Sequence, residues 1–308
     1  MRSVLIANRG EIAVRIIYTL RVLGIRSVLI VSDADRNSYP SKLADEVIEI
    51  GGNTPTESYL NIEKVVGAAL QAGVDAIHPG YGFLSERPEF VDACDQAGII
   101  FIGPSAKSMQ LLGNKVEAKL LATRLGVPLV PGFFEPNANT DQLKEAAIDI
   151  GFPVLLKAAA GGGGRGMKPV NCIEEFDGAL KLASEEAMRA FGDQEMMVEK
   201  LVSRPRHIEI QLLADKHRQV FAIYERECSL QRRRQKVVEE AGAVLKDYPD
   251  KLWHPMRTCA INLLQEAEYE GAATAEFLVD GASGEFFFLE VNARLQVEHP
   301  ISEAISGL

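Results

Sequence analysis

Phe286-Phe287-Phe288-Leu289-Glu290-Val291-Asn292-Ala293-Arg294-Leu295-Gln296-Val297-Glu298-His299-Pro300 alternates polar and apolar residues along most of its length. In an extended strand, residues two apart share a face. Read as a strand, this stretch puts Glu290, Asn292, Arg294, Gln296 and Glu298 on one side. Leu289, Val291, Leu295 and Val297 then turn to a core. Two carboxylates, two amides and a guanidinium in one row form a set that binds cations and anions. A wetted outer face scatters its polar types.

Upstream, Ala273-Thr274-Ala275-Glu276-Phe277-Leu278-Val279 reads as a second strand, and Asp280-Gly281-Ala282-Ser283-Gly284 as the turn of a β-hairpin. Centred near Ser283, the hairpin sets Glu276 across from Glu290. Carboxylates directly opposed repel. A divalent cation between them removes the repulsion, and the oxygen set Glu276, Glu290 and Asn292 suits Mg²⁺ (or Mn²⁺) bridging to phosphates.

A glycine-rich loop supplies the third signal. Val154-Leu155-Leu156-Lys157 is strand-like, as is Met167-Lys168-Pro169-Val170, and between them runs Ala158-Ala159-Ala160-Gly161-Gly162-Gly163-Gly164-Arg165-Gly166. Glycines let backbone N–H groups close on phosphate oxygens. Gly161, Gly163 and Gly166 meet the dinucleotide spacing, but that fingerprint needs a helix to follow and none is predicted here. No Gly-Lys-Ser/Thr ends the loop, which excludes a phosphate loop of the Walker type. The catalytic-loop and metal-loop tripeptides of a protein kinase are missing as well. What remains is a glycine flap with Lys157 just before it.

The rest of the chain sets bounds. Its 308 residues suffice for two or more domains. A net charge of −10 disfavours a nucleic-acid partner. No apolar run approaches a membrane span, and no targeting segment is visible before the first strand. Cys94, Cys172, Cys228 and Cys259 lack metal-ligand spacing, which favours a reducing, cytoplasmic setting, with Cys228 as a packing thiol. Residues 1–112 alternate strand and helix, predicting a doubly wound parallel unit. Residues 113–200, with helices over Lys115–Leu125, Asp141–Ile150 and Ile173–Arg189, are expected to form a small mobile lid. Residues 201–308 are expected to be mainly antiparallel, a catalytic domain left incomplete. The fold class is therefore α/β, Rossmann-like at its start and α+β at its end.

Together these strings resemble the ATP-grasp superfamily, and within it the biotin carboxylase family. The resemblance starts at Val4-Leu5-Ile6-Ala7-Asn8-Arg9-Gly10-Glu11-Ile12-Ala13 and continues through His78-Pro79-Gly80-Tyr81-Gly82-Phe83-Leu84-Ser85-Glu86 and the flap. It then takes in Arg206-His207-Ile208-Glu209 and Gln231-Arg232-Arg233-Arg234-Gln235-Lys236-Val237-Val238-Glu239-Glu240, and ends on Leu295-Gln296-Val297-Glu298-His299-Pro300. It implies that Lys115, Lys157, Gly161, Gly162, Gly163, Gly164, Gly166, His207, Gln231 and Arg234 contact ATP, and that Glu199, Lys200, Leu201 and Val202 hold the adenine. It implies Glu276, Glu290 and Asn292 for the metal, Glu276 and Glu290 thereby serving the nucleotide too. It implies Lys236, Arg294, Gln296, Val297 and Glu298 for bicarbonate, with Glu298 as base and Lys236 and Arg294 as the anion's cationic partners. The implied chemistry is attack of bicarbonate on the γ-phosphate of ATP to give carboxyphosphate, followed by carboxylation of biotin on a carrier protein. A carboxyltransferase is the expected second partner, and the full-length form is expected to be a homodimer. His78 reads as a buried turn histidine.

Two departures stand out. The family usually carries a histidine where this chain has Arg234, and it continues well past Leu308, so the chain is expected to be the front part of a biotin carboxylase. Leu295 and Pro300 fit the acyl-CoA carboxylase branch better than the pyruvate carboxylase branch. Two other readings stay open: another ATP-grasp ligase working through an acylphosphate, and a non-catalytic ATP-binding fragment. Turnover with an amine acceptor would mark the first, binding without turnover the second.

Overall fold

The computed structural model describes residues 1–160, 166–202, 204–232, 235–242, 249–281 and 283–308. It opens with β1 (Ser3–Ile6), α1 (Gly10–Val22), β2 (Arg26–Val31), β3 (Glu46–Glu49), α2 (Ile62–Ala72), β4 (Ala76–His78), α3 (Pro88–Gln96) and β5 (Ile100–Phe101). These strands form a parallel sheet in the order β3-β2-β1-β4-β5. Val4, Leu5 and Ile6 are fully buried, as strands covered on both faces must be. The strand order reverses between β1 and β4, and the chain segments leaving those two strands are pinned together there. Asn8 donates to the carbonyls of Pro79 and Tyr81, both at 2.8 Å. Gly80 has φ +66°, and a Cβ there would stand 2.8 Å from the Asn8 amide nitrogen. Only glycine fits that approach.

Two helices, α4 (Ala106–Gly113) and α5 (Lys115–Arg124), lead into β6 (Gly132–Phe133), α6 (Thr140–Ile150), β7 (Val154–Ala158), β8 (Met167–Val170), α7 (Ile173–Phe191) and β9 (Met196–Lys200). Asn114 caps α5 by accepting from the N–H groups of Val116 and Glu117. The four strands make an antiparallel sheet, β6-β9-β7-β8, with a core of its own under α6 and α7 that includes Leu143, Val154, Leu156, Phe176, Leu180 and Val198. Helix α5, expected to belong to this lid, sends Ala118, Leu121 and Ala122 to a different core. Its apolar side faces α4 and the sheet that follows, so it is a fixed post beside the lid.

That last sheet contains β10 (Pro205–Ala214), β11 (Val220–Arg232), β12 (Gln235–Ala241), β13 (Gly271–Asp280) and β14 (Phe286–Asn292), in the antiparallel order β12-β11-β10-β13-β14. Helix α8 (His254–Glu266) packs on one face through Met256, Ala260, Leu263 and Leu264, and α9 (His299–Ser306) ends the chain. Ile208, Leu212, Phe277 and Phe288 share one continuous core with Leu5, Val28 and Phe90 of the first sheet. First and last sheets are thus one packed body, with the middle sheet carried on a separate core.

Candidate functional site

The face of the last sheet opposite its hydrophobic core carries the charge. Along β10, His207, Glu209 and Gln211 share that face, and the register sets Glu209 against Glu276 and Gln211 against Thr274. On β14 a single extra residue decides the outcome. Phe277 pairs with Phe288, but Glu276 pairs with Glu290 and Thr274 with Asn292, so the ladder slips by one residue at Leu289. A bulge reverses the parity of everything beyond it. Phe288 therefore stays in the core while Glu290 and Asn292 turn to the charged face, and the two carboxylates stand opposite each other.

Around them the cations are placed with little slack. Lys236 on β12 pairs with Glu209, reaches Glu276 Oε1 at 2.9 Å and Glu298 Oε1 at 3.5 Å. Burial works against its charge, but Glu276 and Glu209 outweigh that and raise its pKa above the usual lysine value. His207 Nε2 lies 2.7 Å from Glu276 Oε2. Burial lowers its pKa, yet the Glu276 carboxylate wins and the net shift is upward. Gln231 bridges His207 Nδ1 at 2.8 Å. Glu276 itself, buried but ringed by His207 and Lys236, is held far below the ordinary carboxylate range. Asn292 Nδ2 donates to Glu276 Oε1 at 2.7 Å. His207, Glu209 and Glu276 bring ligand atoms within 4.8 Å of one another, and Lys236 is already seated between the last two.

Beyond Asn292 the structure departs from the sequence reading. The strand stops there; residues 293–298 are irregular and turn into α9. Pro300 explains the change, since proline suits the first turn of a helix and a helix cannot begin inside a strand. The single row of five polar residues is thus broken. Val297, expected in the core, is 60% exposed. Gln296 is 4% exposed and accepts from Arg226 Nη2 at 2.8 Å, the same nitrogen that donates to Thr274 opposite Asn292. Arg294 leans back, with Nη2 3.4 Å from Asn292 Oδ1 and Nε 2.9 Å from Glu86 of the first domain's loop. Glu298 stays beside Lys236.

A second group of charges joins α5 to the middle sheet. Lys115 pairs with Glu290. Lys119, one helical turn later, lies 2.6 Å from Glu199 Oε1, and Lys157 pairs with Glu199 Oε2. Burial disfavours the Glu199 carboxylate, but Lys119 and Lys157 bring its pKa down to about 2. Lys157 shifts the other way from an ordinary paired lysine: burial, with Lys119 and Lys115 adding to it, lowers its pKa despite Glu199. Because the depressed Glu199 value lies below its unfolded one, the stabilisation is complete above about pH 4.5 and is lost as pH falls toward 2. It amounts to roughly 3 kcal/mol by linkage. A Glu199→Gln variant is expected to be less stable at pH 7 and to show a flatter stability profile between pH 5 and 2 (~ limits set by the two pKa values), read as urea midpoints against pH.

The remaining sequence candidates fall as follows. Gly161, Gly162, Gly163, Gly164 and Arg234 lie outside the described residues. Gly166 has φ +64° and packs against Ala158 and Ala187, leaving no room for a side chain. Lys200 turns its ammonium to the carbonyls of Gly151 and Phe152 at 2.8 and 3.1 Å, and the Leu201 N–H is used by Pro153. Val202 follows directly, half-buried. His78, expected in a turn, is instead the last residue of β4 and half-buried; burial, then the Arg15 charge, lower its pKa to about 4. A cleft of about 1310 Å³ lies elsewhere, over Arg9, Arg15, Tyr18 and Tyr81. A smaller one of about 110 Å³ opens at Arg294 between His78 and Gly271. The convergent charges sit on the last sheet, and it is they that mark the candidate site.

Residues not singled out from sequence matter most in the packing of this site. Arg226, fully buried, pairs with Glu209 and donates to Gln211 at 2.8 Å, Ser302 at 2.7 Å and Thr274 at 3.2 Å. Glu239 is pushed up to about 7 by burial and by the charges of Glu298 and Glu209. Glu209 was readable in principle, two residues from His207 on one strand; Lys119 was readable as Lys115 plus four on one helix.

Comparison with known proteins agrees with this architecture. Residues 1–109 match the family model of the biotin carboxylase N-terminal domain, and residues 114–308 that of the carbamoyl-phosphate synthase L chain ATP-binding domain. The chain is 45% identical to the alpha subunit of mitochondrial methylcrotonoyl-CoA carboxylase from Glycine max, covering 100% of this chain and 42% of that protein. It is 47% identical to pyruvate carboxylase 1 of Caenorhabditis elegans, covering 99% of this chain and 26% of that one. The chain thus spans less than half the length of either relative. Among solved structures, the biotin carboxylase domain dimer of 2-oxoglutarate carboxylase from Hydrogenobacter thermophilus, in complex with MgADP, ADP and bicarbonate, superposes with a TM-score of 0.94 at 42% identity, over 100% of this chain and 67% of that one. No helix among the described residues is long and apolar enough to cross a membrane.

Proposed function

This chain belongs to the biotin carboxylase family, whose members are ATP-dependent carbon–nitrogen ligases, and from that premise we propose that it uses ATP and bicarbonate to carboxylate biotin on a carrier protein. The observation that carries the reading is Lys236. Its ammonium stands between Glu276 at 2.9 Å and Glu298 at 3.5 Å, where a small anion would meet a cation, a base and the nucleotide carboxylates together. Mg²⁺ (or Mn²⁺) would be held by Glu276, Glu290 and Asn292. The donor set fits, because three oxygen-bearing side chains share one face in adjacent register and the two carboxylates are balanced by Lys115 and Lys236, cations that phosphates can draw away, with His207 beside Glu276. The metal would neutralise phosphate charge when bound.

The residues then divide the work. Lys115, Lys157, His207 and Gln231 would meet the phosphates and ribose side of ATP, and the segment Glu199–Val202 with its backbone would meet the adenine. Arg294 and Lys236 would hold bicarbonate, and Glu298 would take its proton as the bicarbonate oxygen attacks the γ-phosphate, forming carboxyphosphate while the bond from the γ-phosphorus to the bridging oxygen breaks and ADP leaves. Gln296 would act by shaping the turn that carries Arg294 and Glu298, and the Val297 backbone would complete that turn.

The test is phosphate release from Mg-ATP with and without bicarbonate and free biotin, with Glu290→Gln as the blank. Release that needs bicarbonate and rises with biotin is the expected result. Release indifferent to bicarbonate, or driven by an amine acceptor, sinks the reading in favour of another ATP-grasp ligase. We further propose a place in an acyl-CoA carboxylase, working with a carrier and a carboxyltransferase, as a homodimer, in the cytoplasm. Leu295 and Pro300 support the branch, and four free cysteines support the compartment. Carboxyl transfer to an acyl-CoA but not to pyruvate in the complete assembly would be the readout.

A further inference from the structure

We propose that Lys119 is a positioning residue for the nucleotide-phosphate site: its buried ammonium occupies one oxygen of Glu199, so that Lys157 on the other oxygen stays available to an anionic ligand. This rests on the reading above that Lys157 meets the phosphates of ATP.

The geometry is specific. Lys119 and Glu199 are both essentially buried, at 2% and 1% side-chain exposure. Their 2.6 Å approach is an ion pair, yet among the described residues no well-directed hydrogen bond reaches Lys119 Nζ. The ammonium also lies 5.7 Å from the centre of the Phe134 ring. Its contribution is therefore charge. Burying an ion is costly unless it is well compensated. One lysine would have sufficed for Glu199, and Lys157 already pairs with it. Lys115 has Glu290 as its partner, whereas Lys119 and Lys157 share the single carboxylate of Glu199, which leaves one positive charge in excess at that carboxylate among the described residues. A buried surplus cation is a strain on the fold that an arriving polyanion relieves. Without Lys119, Glu199 would hold Lys157 with its full charge and compete with the ligand.

Among the described residues, the charged groups that act most on Lys157 are Glu199, Lys119 and Lys115. Removing Lys119 deletes a positive neighbour, so Lys157 should keep its proton to higher pH while binding the ligand less well at neutral pH. The experiment is calorimetric titration of the whole chain with metal-free ATP from about pH 7 to 10, a window chosen from the ordinary lysine range. Wild type, Lys119→Met, Lys119→Arg and Lys157→Met are compared. Lys119→Met should weaken binding about tenfold at neutral pH, the scale of one unit charge removed at this range, and shift the alkaline loss of affinity upward. Lys119→Arg should retain wild-type behaviour in both. Unchanged affinity and midpoint in Lys119→Met, alongside lost affinity in Lys157→Met, would overturn the inference and leave the ATP reading standing. Full affinity in Lys157→Met would overturn both. Should Lys119→Met fail to fold, Lys119→Gln is measured in its place by the same two criteria.

Discussion

An Arg226→Met variant is expected to lose about 3–5 kcal/mol of stability, seen as a lower urea midpoint with unchanged slope. The guanidinium is fully buried and tied to five side chains on β10, β13, the turn before α9 and α9 itself: Glu209, Gln211, Thr274, Gln296 and Ser302. Methionine fills similar volume but donates nothing. Glu209 would still have Lys236, so its carboxylate is not abandoned. The amide and hydroxyl oxygens would be, at about 1–3 kcal/mol for each one left dry. Arg226→Lys should recover only part of the loss, because a single ammonium cannot reproduce the planar fork. A loss under about 1 kcal/mol for the methionine variant would show that the network relaxes or admits water instead of holding the turn.

Lys236→Met is expected to lower bicarbonate-dependent phosphate release by about 10²–10³-fold, the usual cost of deleting a charge-stabilising donor. The affinity for ATP should change little, because Lys236 faces Glu209, Glu276 and Glu298, while the lysines nearest the middle sheet are Lys115, Lys119 and Lys157. Since the Lys236 pKa is raised, the wild-type activity should show no lysine titration from this group below the ordinary lysine range. Lost turnover with retained ATP binding supports the bicarbonate assignment. Equal loss of both would instead mean that Lys236 organises the nucleotide carboxylates, and a loss of less than about fivefold would leave it no part in charge stabilisation.

Much of this fold was readable from the chain. Short apolar strands alternating with amphipathic helices announced the parallel sheet, and the turn around Ser283 announced the hairpin that pairs Glu276 with Glu290. What misled was local plausibility. Alternation continues through Glu298, yet Pro300 needs a helix, and the strand gives way at Asn292. The bulge at Leu289 left no mark in the alternation itself. The pairs that join distant elements were beyond any local pattern. Lys119 and Glu199 are eighty positions apart, and Arg226 meets Gln296 across seventy. Helical spacing could have flagged Lys119 beside Lys115, but nothing along the chain named its partner.

The placement of α5 has a mechanical consequence. One helix holds two pins: Lys115 engages Glu290 on the fixed body, and Lys119 engages Glu199 on the middle sheet. The segment that leads into that sheet is tethered as well, with Leu129 bridged to Phe288 and the Phe288 N–H donating to the Pro128 carbonyl. The middle sheet therefore resembles a gate hung on two hinges along a single post. A swing that spares these anchors is a rotation about α5, with β9 near the axis and β8 and α7 on the outer arm. In such a rotation displacement would grow with distance from that axis, largest at the free edge and smallest at Glu199, where the charge pair lies.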